Sequence, residues 1–162
     1  MDPRWKHPFP AIVAGPTCCG KSQFVKHLLE SGEELIDGAP ENIIWCYGIY
    51  QPAYDEMLRT IPNITFVEGV PGDLESMINP TIRNLVVIDD LMQELSNDQR
   101  ITNLFTKGCH HRNLSVIFIL IHDLLPSFLI GWKALLLIRY RGHCLSILKF
   151  STATQRHRSI WT

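Results

Sequence analysis

The chain has 162 residues, 46% hydrophobic and 19% charged, with a formal net charge of −1. That length predicts one domain with a core of its own. The composition excludes a disordered chain, and the near-zero charge excludes a global basic footprint for nucleic acid. No Asp or Glu follows Asp123, while Lys133, Arg139, Arg141, Lys149, Arg156 and Arg158 all do. The tail is therefore basic, first of all as solvated surface. Cysteines at 18, 19, 46, 109 and 144 form no C-x-x-C pair, and their odd number argues against a closed disulfide framework. MDPRWKHPFP has no apolar signal core. Together these features predict an intracellular, reducing setting. The apolar run 116–138 is interrupted by His122, Asp123, Pro126 and Lys133, a poor membrane span, so no membrane partner is expected.

In chain order, AIVA at 11–14 predicts a first strand. It leads directly into Gly15-Pro16-Thr17-Cys18-Cys19-Gly20-Lys21-Ser22, which has the G-x-x-x-x-G-K-S spacing of a phosphate-binding loop. A helix is expected over 20–31, with Phe24, Leu28 and Leu29 on one face. Strands are expected at 43–47 and 63–67, rich in β-branched and aromatic residues. A short helix over 52–59 lies between them, with Pro52 at its start. Pro71-Gly72-Asp73 reads as a turn, with Asp73 capping a helix over 74–78. A fully apolar strand follows at 85–89, then a helix from Ser96 or Asn97 through Phe105, then a strand at 114–120. Strands apolar on both faces and separated by helices predict an α/β fold, a mainly parallel sheet flanked by helices.

The loop has a specific chemistry. Gly15 and Gly20 are expected to free the backbone to aim N–H groups at phosphate oxygens. The helix that follows adds its N-terminal donors and positive dipole end. Lys21 is the candidate for reaching the β- and γ-phosphates, and the Ser22 hydroxyl for ligating Mg²⁺. Such a loop needs a second, acidic element, and the strand 85–89 ends in Asp89-Asp90. In a parallel sheet the carboxyl ends of the strands meet at one edge. Asp89 is the candidate metal acid, through water, and Asp90 the candidate for orienting or deprotonating the attacking water. Glu94 is the alternative base. Cys109, His110 and His111 are adjacent with no second cluster, a poor zinc site. Arg112 is either an arginine offered to a neighbouring subunit's γ-phosphate or a solvated loop residue, and Lys107 shares that choice. Cys18 and Cys19 read as small loop residues, with redox control as the alternative. Trp45 reads as core. Tyr50 and Gln51, past a strand end, are candidate site contacts.

The segments HPFPAIVAGPTCCGKSQFVKHLL, IIWCYGIYQPAYDEM, ITFVEGVPGD, NLVVIDDLMQEL and LFTKGCHHRNLSVIFIL together resemble the genome-packaging ATPases of Polinton/Maverick elements and adintoviruses. Poxviruses carry relatives, and the group lies in the FtsK–HerA branch of P-loop ATPases. The resemblance runs from about residue 7 to residue 120. It implies a P-loop NTPase of RecA/ASCE-like fold that forms a homo-oligomeric ring. It implies ATP hydrolysis with Mg²⁺ to move double-stranded DNA into a capsid, with capsid or portal proteins as partners, in the nucleus or cytoplasm of a host cell. Carried over by position, Gly15 to Ser22 bind the nucleotide. Ser22 and Asp89 hold the metal, Lys21 and Asp90 are catalytic, and Arg112 acts between subunits.

The resemblance stops at the C-terminus. Relatives continue after the fifth strand with a Gln or Asn and then further strands. Here Ile121-His122-Asp123 and a basic-apolar tail follow. The expected organisation is a P-loop ATPase core over 1–121 and a divergent tail over 122–162, frame-shifted or disordered, leaving the fold C-terminally incomplete. Two alternatives stay open: a decaying copy that binds nucleotide without turnover, and a small P-loop nucleotide kinase.

Overall fold

The computed structural model describes residues 4–91, 113–121 and 146–149. Its main element is a six-stranded sheet. The strands are β2 (Pro10–Gly15), β4 (Asn42–Tyr47), β5 (Ile64–Glu68), β6 (Asn84–Asp89), β7 (Leu114–Ile121) and β8 (Ser146–Lys149). Their order across the sheet is β5-β4-β6-β7-β2-β8. Every pairing is parallel except that of β8, which runs antiparallel along β2. A separate two-stranded parallel sheet pairs β1 (Trp5–Lys6) with β3 (Ile36–Asp37). The helices are α1 (Lys21–Glu30), α2 (Gly32–Leu35) and α3 (Ala53–Thr60).

The α/β class and the parallel core agree with the expectation from sequence. The central strands are buried on both faces, which is why they read as unbroken apolar runs rather than alternating ones. Alternation still decides what each residue touches. Ala11, Val13, Ile43, Trp45, Leu85, Val87, Ile117 and Ile119 face Val25, Leu28 and Leu29 of α1 and Tyr54 and Met57 of α3. Ile12, Ala14, Ile44, Cys46, Val86, Ile88 and Phe118 form the opposite face with Leu74, Ile78 and Leu91.

Several bounds shift by a residue or two. β4 and β6 begin one residue early, because Asn42 and Asn84 pair in register and Asn42 Nδ2 donates to Asn84 Oδ1 at 3.0 Å. Asn84 is fully buried, yet its amide donates to the carbonyls of Asn79 and Ile82. A buried polar residue whose hydrogen-bonding groups are all partnered can start a core strand. The expected helix over 74–78 is instead a single 3₁₀ turn, Leu74–Met77. Asp73 does not cap its backbone; it accepts from the Ser76 hydroxyl at 3.3 Å. Ile78 is extended, and Asn79 precedes Pro80, a position that disfavours continuing a helix. β1, β3 and α2 have no counterpart in the sequence reading. They are too short for periodicity to reveal.

β8 is the largest departure. Ser146–Lys149 lies in the stretch expected to be a structureless tail, and it pairs with Ala11–Ala14 of the strand that feeds the glycine loop. Backbone hydrogen bonding makes few demands on sequence, and an unpaired edge of β2 is a template for any extended segment. The rest of the tail lies outside the described residues, as do the helix expected up to Phe105 and the residues Glu94, Lys107, Cys109, His110, His111 and Arg112. Among the described residues, no helix is long and apolar enough to cross a membrane.

Candidate functional site at the carboxyl edge of the sheet

β2 ends at Gly15, and α1 begins at Lys21. The loop between them turns through left-handed backbone at Cys18 (φ 61°) and Gly20 (φ 87°). Gly15 differs from expectation: it is a buried strand residue paired with Ile121 and has no positive φ. The turn is made by Cys18 instead, although left-handed backbone costs an L-residue about 1–2 kcal/mol. No side chain caps α1, and its first turn carries no acid. The donors and positive dipole end of that turn therefore point into the loop uncompensated. The Lys21 ammonium donates to the carbonyls of Gly15 (3.1 Å) and Pro16 (2.7 Å), which holds it across the loop.

The chain then crosses from β2 to β4. β7 and β6 lie between these strands in the sheet, so α1 must pass over both. β2 and β6 are two strand spacings apart, about 10 Å. The crossover closes that gap: the Ser22 hydroxyl donates to Asp89 Oδ2 at 3.0 Å. Asp89 ends β6 on the same face as Leu85 and Val87, the face that α1 and α3 cover. The Tyr54 hydroxyl of α3 donates to the same Oδ2 at 3.2 Å. Lys26 of α1 binds Glu56 of α3 at 2.8 Å, joining the two helices that meet at Asp89.

Asp89 is 4% exposed. Burial pushes its carboxyl above the usual carboxylate range, the hydrogen bonds from Ser22 and Tyr54 oppose that, and the neighbouring Asp90 charge adds to it. Burial, with the Asp89 charge beside it, pushes the Tyr54 phenol above its ordinary range, so it remains a donor. Asp90 is exposed and takes left-handed backbone (φ 55°) immediately after the strand, which turns the chain away from Asp89. Gly48, at the end of β4, permits this close approach: a Cβ there would lie 3.1 Å from the Asp90 carbonyl oxygen.

Thr17, Cys18, Gly20, Lys21, Ser22, Gln23, Gln51, Asp89, Asp90 and Ile119 line one cleft of about 430 Å³. That volume lies within the range of small-molecule sites. The structure thus brings together the loop, the lysine, the serine and both acids singled out from sequence. Pro16 is exposed beside the cleft, and Cys19 packs against the α1 side of the core. Gln51 lines the cleft as expected, whereas Tyr50 donates to Asp55 and packs on Tyr54. Trp45 is core. Tyr54 is the contact that sequence did not single out. Its spacing with Met57 and Ile61 marks the buried face of α3, but the partner of its hydroxyl is set by folding.

Ser22 and Asp89 are hard oxygen donors in contact. Two oxygen donors of this kind suit a cation that keeps waters. Among the described residues, no group of three or more His, Cys, Asp or Glu gathers that could hold a metal ion. The chain matches no protein-family model and no curated protein in sequence comparison.

Proposed function

We propose that the cleft binds ATP with Mg²⁺ and hydrolyses it. The observation that carries this is the 3.0 Å bond from Ser22 Oγ to Asp89 Oδ2, made across two strand spacings between the glycine loop and the acidic strand. Such a bond directs the hydroxyl proton to Asp89 and leaves the serine lone pairs for a metal ion. The interposed β7 supports an additional-strand arrangement of the RecA/ASCE-like kind.

On this reading the loop backbone and the first turn of α1 hold the phosphates. Lys21 exchanges the Gly15 and Pro16 carbonyls for the β- and γ-phosphate oxygens and offsets the charge that develops there. Ser22 and, through water, Asp89 would hold Mg²⁺, which would supply charge neutralisation and polarisation at the phosphates. Asp90, exposed in the same cleft, orients the attacking water and accepts its proton. The water oxygen bonds to the γ-phosphorus, the bond to the bridging oxygen breaks, and ADP leaves with the electron pair. The resemblance to packaging ATPases supplies the purpose of the hydrolysis: translocation of double-stranded DNA by a ring, with Arg112 completing a neighbour's site.

Phosphate release by the full chain, with and without double-stranded DNA, tests this. The expected result is turnover that DNA stimulates, lost in Lys21→Ala and Asp90→Asn. Equal background rates in all three proteins overturn hydrolysis. Phosphoryl transfer to a nucleotide acceptor, rather than to water, overturns the motor in favour of a kinase.

A further inference from the structure

Tyr54 has no part in the hydrolytic scheme above, yet its hydroxyl is inside the site. The side chain is 1% exposed. Its ring stacks on Phe66 at 4.7 Å between centroids, and Trp45, Tyr47 and Tyr50 contact it at 5.3–5.9 Å. A ring enclosed in this way has little freedom to turn. Its hydroxyl is consequently aimed at one place, Asp89 Oδ2. Ser22 donates to that same oxygen from the opposite helix. Two donors on one carboxylate oxygen fix the rotation of the group and leave Oδ1 as its other acceptor.

We propose that Tyr54 is a positioning residue for the metal acid: with Ser22 it clamps Asp89 Oδ2 and so presents Oδ1 to the water shell of the nucleotide-bound cation. The proposal rests on the nucleotide-binding function above. Groups that orient a metal's ligands from behind change metal affinity by about 10–100-fold when removed. They have no comparable effect on the part of the ligand that the metal does not touch.

That difference gives the test. Affinity for a fluorescent ATP analogue is measured in EDTA and across a Mg²⁺ titration, for wild type and Tyr54→Phe, with thermal melting as a check on folding. The expected result is an unchanged affinity in EDTA and a half-saturating Mg²⁺ concentration raised about tenfold. An unchanged Mg²⁺ requirement overturns the proposal. So does an equal loss in EDTA and in Mg²⁺, which a merely structural tyrosine would produce. Should Tyr54→Phe fail to melt cooperatively, 4-aminophenylalanine at position 54 keeps the ring and a weaker donor. It is expected to raise the Mg²⁺ requirement about two- to threefold, since an aniline N–H binds a carboxylate less strongly than a phenol. No change there also overturns the proposal. Wild type that binds no nucleotide in any condition overturns the nucleotide function itself, and the Tyr54 role with it. Wild type that binds while Tyr54→Phe is indifferent overturns the Tyr54 role alone.

Discussion

Ser22 and Asp89 are 67 residues apart in the chain and 3.0 Å apart in the fold. One belongs to the helix that follows β2, and the other ends β6, two strands away. Their bond exists because the β2-to-β4 crossover must pass over β6.

Removing that hydroxyl should separate nucleotide from metal. Ser22→Ala is expected to keep nucleotide affinity in EDTA within about twofold and to raise the Mg²⁺ requirement at least about tenfold. A Mg²⁺ titration of fluorescent nucleotide binding checks this. Loss in EDTA to the same degree would mean that Ser22 acts on the phosphates alone.

Lys21→Ala should behave in the opposite way. Its ammonium donates to the nearby carbonyls of Gly15 and Pro16, so the fold has little need of it. Nucleotide affinity should fall about 10–100-fold with and without Mg²⁺, the scale of a charge-assisted hydrogen bond of about 1.5–3 kcal/mol. Thermal melting without nucleotide should shift by no more than a few degrees. Titration calorimetry and a melting curve on the same sample test both halves.

A chain ending at residue 145 should lose stability out of proportion to the four strand residues described beyond that point. It would leave Ala11–Ala14 of the loop strand without its antiparallel partner, an open edge beside buried apolar residues. The expected outcome is a lower melting temperature and greater light scattering than the full chain. Equal melting and equal scattering would mean that β8 contributes nothing to the sheet.

The amino ends of β2 and β7 should respond to pH through His7. Phe9 N donates to Ser115 Oγ at 3.0 Å, and Ser115 Oγ lies 2.7 Å from His7 Nδ1. His7 Nε2 lies 2.9 Å from Asn113 Oδ1, an atom that only accepts. The network therefore puts a proton on Nε2; in the neutral ring Nδ1 accepts from the Ser115 hydroxyl. Burial lowers the His7 pKa, with the hydrogen bonds to Asn113 opposing it. The unfolded chain then takes up a proton near pH 6.5 that the folded chain refuses. Stability is complete above that pH and falls as pH drops below it. Denaturant midpoints at pH 7.5 and 5.5 should show this fall, and His7→Gln should make it shallower. An identical pH dependence in the variant would exclude His7 as the source.

Much of this was legible in the chain itself. The spacing from Gly15 to Ser22 marked the turn between a strand and a helix, and LVVID followed by a second acid marked a buried strand ending at the same edge. The shortest elements were not legible: β1 and β3 have two residues each and α2 has four, about one hydrophobic period apiece, too little to show a repeat. β8 was illegible for another reason. It is held by main-chain pairing to β2, and such pairing leaves little mark on composition.

The sequence by itself determined the class of fold, the strand that carries the loop, and the pairing of a lysine and a serine with two acids. Those follow from local rules: apolar runs, glycine spacing and charges at strand ends. Only the tertiary structure decided that the strand order sets β7 between loop and acid, that α1 crosses over to close the gap, and that Gly15 stays in the strand while Cys18 makes the turn. It alone decided that Tyr54 reaches Asp89. The face on which a side chain lies is written in a period of two or 3.6 residues. What it meets there depends on which distant elements the crossovers set against that face, and no local pattern records that.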